Sequence, residues 1–225
     1  MKISKSLLLA AATGLAASSA ANAVVLADAD FDTYSYVFMG TNNTGAPTVN
    51  VSQYSGAGHF TFGVISFDVS ELSVSGDKYL SLQASGYPDG SMGPGSVPIG
   101  TGTVNVGVLG ESYSDYLDSG DKLAWFNSNV LTLTPVGEMT FTNGGVSSMD
   151  VTSSVNDWID SGSSNYGFVF WTTDNAGVQI VSSDATSGYT PALTSSAVPE
   201  PETFGAIAGA LALGLAVCRR RTSKS

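Results

Sequence analysis

Positive charge is scarce in this sequence. Only eight of its 225 residues are Lys or Arg, and six of those eight fall in the two terminal segments. Between Val24 and Val198 there are seventeen Asp and Glu against Lys78 and Lys122, a formal net charge of −15. So one-sided a surface repels phosphate backbones and anionic headgroups, which sets aside nucleic acid and acidic membranes as partners. Cysteine is nearly missing too. Cys218 is the only one and lies in the tail, so the central region can form no internal disulfide. Histidine is limited to His59, too few for a His-cluster zinc site, and no Gly-x-Ser-x-Gly elbow accompanies it for a catalytic triad. A carboxylate pair for glycoside hydrolysis stays open as the weaker alternative, since among seventeen acids some pair always falls close.

The ends carry what the middle lacks. Lys2 and Lys5 precede an apolar stretch opening at Leu7, and Ala21-Asn22-Ala23 closes it with small residues. This order predicts a signal peptide over residues 1–23, with Ala23 the last residue before the signal peptidase cut. At the other end, Val198-Pro199-Glu200-Pro201 leads into an apolar run from Phe204 to Cys218, followed by Arg219, Arg220 and Arg221. As a helix that run covers about 22 Å, short of a hydrocarbon core of about 30 Å unless flanking residues or local thinning help. Arginines stay cytoplasmic, which leaves the bulk of the chain outside. On these features alone, a plain membrane anchor fits as well as a sorting signal.

In the region between, glycine, Ser, Thr and Asn are abundant and period-two alternation recurs, the pattern of short strands joined by turns. Strands are predicted at 31–38, 60–67, 79–84, 103–109, 130–134, 138–142, 166–171, 177–182 and 190–194, with a Gly/Pro-rich loop over 86–102. One segment reads differently. Val151, Val155, Trp158 and Ile159 fall at i, i+4, i+7 and i+8, one face of a short helix with Asp150 as its cap and Gly162 as its stop. The expected fold is all-β, a β-sandwich with one short helix, over residues 24–197.

Two resemblances add to this reading. The Pro-Glu-Pro motif, short apolar helix and arginine cluster, in that order, resemble the PEP-CTERM sorting signal of Gram-negative bacteria, over residues 198–225. That resemblance implies recognition in the inner membrane by an exosortase, a temporary tail, and an exopolysaccharide-producing setting. Asp150-Val151-Thr152, Trp158, Gly162, Asn165-Tyr166-Gly167-Phe168, Ser182-Ser183-Asp184 and Pro191-Ala192-Leu193 resemble the DNRLRE domain, also known as a carbohydrate-binding module. Asp32-Thr33-Tyr34 and Phe67-Asp68-Val69-Ser70-Glu71-Leu72 match its earlier signatures less specifically. This second resemblance implies a jelly-roll form and polysaccharide binding.

Two kinds of site are candidates. Sugar binding calls for exposed rings that stack on pyranose faces, and Tyr113, Tyr116, Trp125 and Phe126 lie in or beside a polar loop. Packing of these rings is the competing reading, and Trp158 and Trp171 read as core. Asp28, Asp30 and Asp32 alternate, so an extended chain would turn their oxygens to one face, and Asp115, Asp118 and Asp121 share a loop. Hard oxygen ligands suit Ca²⁺, the one cofactor considered, although solvated carboxylates explain both sets as well. The combined expectation is an exported, non-enzymatic domain that passes transiently through the inner membrane and associates with extracellular polysaccharide. A structural matrix protein that binds no sugar is the alternative.

Overall fold

Strand β1 (Val25–Tyr36) organises the fold because it belongs to two ladders. Its first residues pair antiparallel with β11 (Ala192–Thr194), which continues to β5 (Tyr79–Gln83) and β8 (Val146–Asp150). Beyond Asp28 it pairs with β4 (Phe60–Phe67), and from there the order runs to β9 (Phe168–Trp171), β6 (Gly102–Val108) and β7 (Gly137–Phe141). Between Ala29 and Phe31 the register slips, the bulge by which a strand can bend from one layer into another. Short β2 (Thr41–Asn42) pairs with β1, while β3 (Thr48–Gln53) pairs with β10 (Gly177–Val181) and touches the start of β4. A bridge from Ala84 to Ile180 brings β10 back towards β5, so the eleven antiparallel strands found among the described residues are nearly barrel-like. The computed structural model describes residues 23–37, 40–53, 60–85, 101–161, 164–173, 177–186 and 189–196. The expected signal peptide before Ala23, the expected sorting tail from Val198 to Arg221, His59, Gly162 and most of the 86–102 loop lie outside the described residues.

Alternation along the strands sorts side chains into two cores. Ile65 and Phe67 of β4, Phe168 and Phe170 of β9, and Val104 and Val106 of β6 face the first core. Leu80 and Leu82 of β5 and Leu193 of β11 close it from the other ladder. The intervening residues Phe62, Val64, Val169 and Trp171 point the opposite way, into a second core. Both faces of β4 are therefore apolar, because helices cover the side that a two-layer fold would leave to water.

Those helices correct the sequence reading. Among the described residues there are three, not one: α1 (Tyr113–Asp118), α2 (Lys122–Asn129) and α3 (Thr152–Ser161). The expected helix is α3, and its Val155 and Trp158 pack into the first core, with Trp158 and Phe168 centroids 4.9 Å apart. Asp150 serves it from outside, its carboxylate accepting the Thr152 N–H at 2.9 Å. The strand expected at 130–134 is absent. Val130 instead closes α2, donating its N–H to the Phe126 carbonyl, and the next residues turn so that Leu131 and Leu133 pack on the second core. Strands β2, β3 and β8 were not expected.

Candidate functional site

The second core disposes of the expected sugar platform. Tyr113, Tyr116, Trp125 and Phe126 are 7%, 0%, 8% and 0% exposed. All four surround Phe62 of β4, with centroids at 6.2, 5.0, 6.3 and 5.2 Å. Tyr113 and Tyr116 stack at 5.6 Å, and Tyr116 meets Trp125 edge-on at 5.2 Å. Burying these rings drives the helical layer onto the sheet, so none offers a free face to a pyranose. The expectation of a stacking platform on these four residues is corrected accordingly.

The short helices form here because their ends are well capped. Ser112 accepts the Ser114 N–H while Asp115 accepts the Ser112 N–H at 3.1 Å, a capping box that starts α1. Asp121 starts α2 by accepting the Ala124 N–H at 2.9 Å. Lys122 finishes α1: its ammonium donates to the carbonyls of Tyr116 at 2.6 Å and Ser119 at 2.8 Å, and also reaches that of Leu117. The same ammonium stands 5.1 Å from the Tyr116 ring centroid.

Neither expected calcium site assembles, and among the described residues no three metal-ligating side chains are grouped. The bulge in β1 explains the first case. Asp28 and Asp30 are exposed, Asp30 accepting the Ser66 hydroxyl at 2.8 Å, whereas Asp32 is buried and accepts the Ser183 N–H at 2.6 Å. Burial holds the Asp32 carboxyl above the ordinary carboxylate range, despite the Ser183 N–H and with Asp184 adding repulsion. In the second set, Asp115 and Asp121 are spent as caps of different helices, and Asp118 is exposed at the end of α1. Of the residues expected to serve processing, only Ala23, half-buried, is among those described.

The structure brings together a different set. A cleft of about 340 Å³ opens where α1 meets the outer face of β1 and β4. Phe31, Tyr166 and the edge of Tyr113 form its aromatic wall, and Leu117 adds an apolar side. Thr44, Ser66, Ser112 and Ser114 contribute hydroxyls, and Asn165 contributes an amide. Asn165 is held from both ends, its Nδ2 donating to the Phe67 carbonyl at 2.7 Å and its Oδ1 accepting the Gly167 N–H at 3.1 Å. No side chain lining the cleft is charged. Sequence reasoning missed this site because its residues come from five segments between Phe31 and Tyr166, and no local spacing links them.

The ends of the domain also meet. Val24 donates its N–H to Ser195 Oγ at 3.1 Å, and Ser195 returns its N–H to the Val24 carbonyl at 2.9 Å. The chain matches no family model, and no curated protein matches it.

Proposed function

We propose that this chain is an exported, surface-sorted, non-enzymatic protein whose jelly-roll-like β-sandwich associates with extracellular polysaccharide. The observation that carries this reading is the cleft lined by hydroxyls, an amide and aromatic rings, with no charged side chain. Such a lining pairs with sugar hydroxyls and apolar ring faces and includes no carboxylate, imidazole or amine side chain. The address comes from the ends. The signal-like segment through Ala23 implies export and signal peptidase. The Pro-Glu-Pro tail resembles a PEP-CTERM signal and implies an exosortase and a transient stay in the inner membrane. The resemblance of the 150–193 region to the DNRLRE domain supports the jelly-roll form. The Val24–Ser195 contact supports processing at both ends, because trimming beyond either residue leaves the paired strands whole.

A second reading, a structural matrix protein that binds no sugar, is favoured by the burial of Tyr113, Tyr116, Trp125 and Phe126. Fractionation of the producing cells tests the two. Association predicts a protein lacking both terminal segments, sedimenting with the insoluble extracellular polysaccharide and released when that polymer is digested. A full-length cytosolic protein would overturn the export reading. A processed protein that stays in the matrix after complete digestion would favour the structural one.

A further inference from the structure

We infer that the cleft between α1 and the β1–β4 face takes a neutral sugar residue and rejects uronates and sulfated sugars. This rests on the polysaccharide reading and names the substrate class of that site. Seventeen acids are spread over the domain, yet none lines the cleft. Its hydroxyls, Thr44 and Ser114 on exposed positions and Ser66 and Ser112 half-buried, offer polar oxygens to sugar hydroxyls, with the Ser66 proton held by Asp30 and one bond of 2.6 Å joining Ser112 to Ser114. Phe31 and Tyr166 are only half-buried, so part of each ring remains for the C–H face of a pyranose. The volume sits at the small end of ligand pockets, about 300–1,000 Å³, which suits a short stretch of glycan rather than a long groove.

Electrostatics then excludes acidic glycans. A carboxylate or sulfate bound here would need a cation, and the domain between Val24 and Val198 has two. The Lys122 ammonium is engaged with the carbonyls that end α1, and the Lys78 ammonium donates to the Gly76 carbonyl at 3.0 Å on a residue 1% exposed. Neither lines the cleft. Two carboxylates do stand directly behind its wall, Asp30 on the Ser66 hydroxyl and Asp115 on the Ser112 N–H. An incoming anion therefore meets repulsion with nothing to offset it.

The experiment presents the secreted protein to immobilised neutral glucans, mannans and galactans beside alginate, hyaluronan and a sulfated galactan. Binding to at least one neutral polymer is expected, with none to the acidic ones. Tyr166→Ala should weaken that binding at least tenfold. Thr44→Glu, at an exposed position that leaves the melting temperature unchanged, should abolish it by placing a carboxylate at the rim. Neutral binding that survives both variants would overturn the cleft assignment and leave polysaccharide association standing. Binding confined to acidic polymers would overturn the neutral class, and no binding to any polymer would overturn this inference and the association together.

Discussion

The hydroxyls of Tyr113 and Ser35 meet at 2.6 Å inside the protein, and this bond fastens α1 to β1 beneath the cleft. Ser35 is fully buried and Tyr113 nearly so, so removing either hydroxyl takes from the other its 2.6 Å partner where water does not reach. Tyr113→Phe should lower the unfolding free energy by about 1–3 kcal/mol, and Ser35→Ala by a similar amount. The double variant should lose less than the two single losses added together, since neither hydroxyl of the pair is then left facing a missing partner. Urea unfolding of the four proteins measures this, and strict additivity would show that the hydroxyls do not act as a pair.

Lys122 makes a separate prediction for the same layer. Its ammonium donates to the carbonyls at the end of α1, positions where a helix leaves its acceptors unpaired. Hydrogen bonds to a charged group contribute about 1.5–3 kcal/mol, so Lys122→Met should destabilise by that order while keeping most of the apolar stem. Lys122→Arg should recover part of the loss. Thermal melts decide it, and a methionine variant as stable as the parent would mean that water serves those carbonyls equally well.

How much of this was legible in the sequence follows from the range of each signal. The Phe60–Phe67 run announced its strand because alternation is local, and the spacing of Val151, Val155 and Trp158 announced α3 for the same reason. Helices α1 and α2 escaped notice because six and eight residues are too few for a clear 3.6-residue period. Their caps were visible all the same, in Ser112 with Asp115 three residues on and in Asp121. The calcium alternative for those aspartates does not register that they serve as helix caps. The four aromatic rings lie close together in sequence, but that alone leaves open whether they are displayed or packed, since burial depends on Phe62, some fifty residues away in sequence. The bulge in β1 that parts Asp28, Asp30 and Asp32 leaves no trace in composition or spacing. The cleft is still less local, assembled by β1, β4, α1 and the loops beside them.

Gly167 tests the turn that delivers Asn165 and Tyr166 to the cleft. Its φ is +90°, and a Cβ built there would lie 2.7 Å from the Ile65 carbonyl oxygen. Backbone strain of this kind costs about 1–3 kcal/mol, and the clash with a neighbouring strand adds a comparable amount. Gly167→Ala should therefore be among the most destabilising single-methyl additions in the chain. Gly110, where an added Cβ meets nothing within 4 Å, provides the control, and Gly110→Ala should leave the melting temperature nearly unchanged.

Asp32 gives the protein a pH dependence of known sign. Burial raises its folded-state pKa, so the folded protein holds that proton more tightly than the unfolded chain does. The resulting stabilisation is complete below the unfolded value, about 3.9, and is lost as pH rises through the folded value. At neutral pH the buried carboxylate is thus a net burden. Asp32→Asn, which keeps an acceptor for the Ser183 N–H, should melt higher than the parent at pH 7, with the gain shrinking towards pH 4. Asp32→Ala should melt lower at pH 7, because Ser183 loses its partner. A gain for the asparagine variant that grows on acidification would reverse the sign and refute the burial argument.

At the alkaline end the tyrosines govern. The Tyr34 phenol is pushed up to about 12, first by burial and then by Tyr36 beside it, their rings 5.5 Å apart. Burial also raises Tyr113, Tyr116 and Tyr189, with Ser81 partly offsetting the last. Unfolded phenols release their protons near pH 10, whereas these folded ones keep theirs, so stability is full below about 10 and drains away as pH climbs towards 12. Phenolate absorbance from these buried phenols should accordingly rise only together with loss of the β-rich circular dichroism. Tyr34→Phe removes one contributor to that drain and should move the alkaline unfolding midpoint upward. A single ionisation near pH 10 that leaves the circular dichroism unchanged would show that Tyr34 is open to solvent.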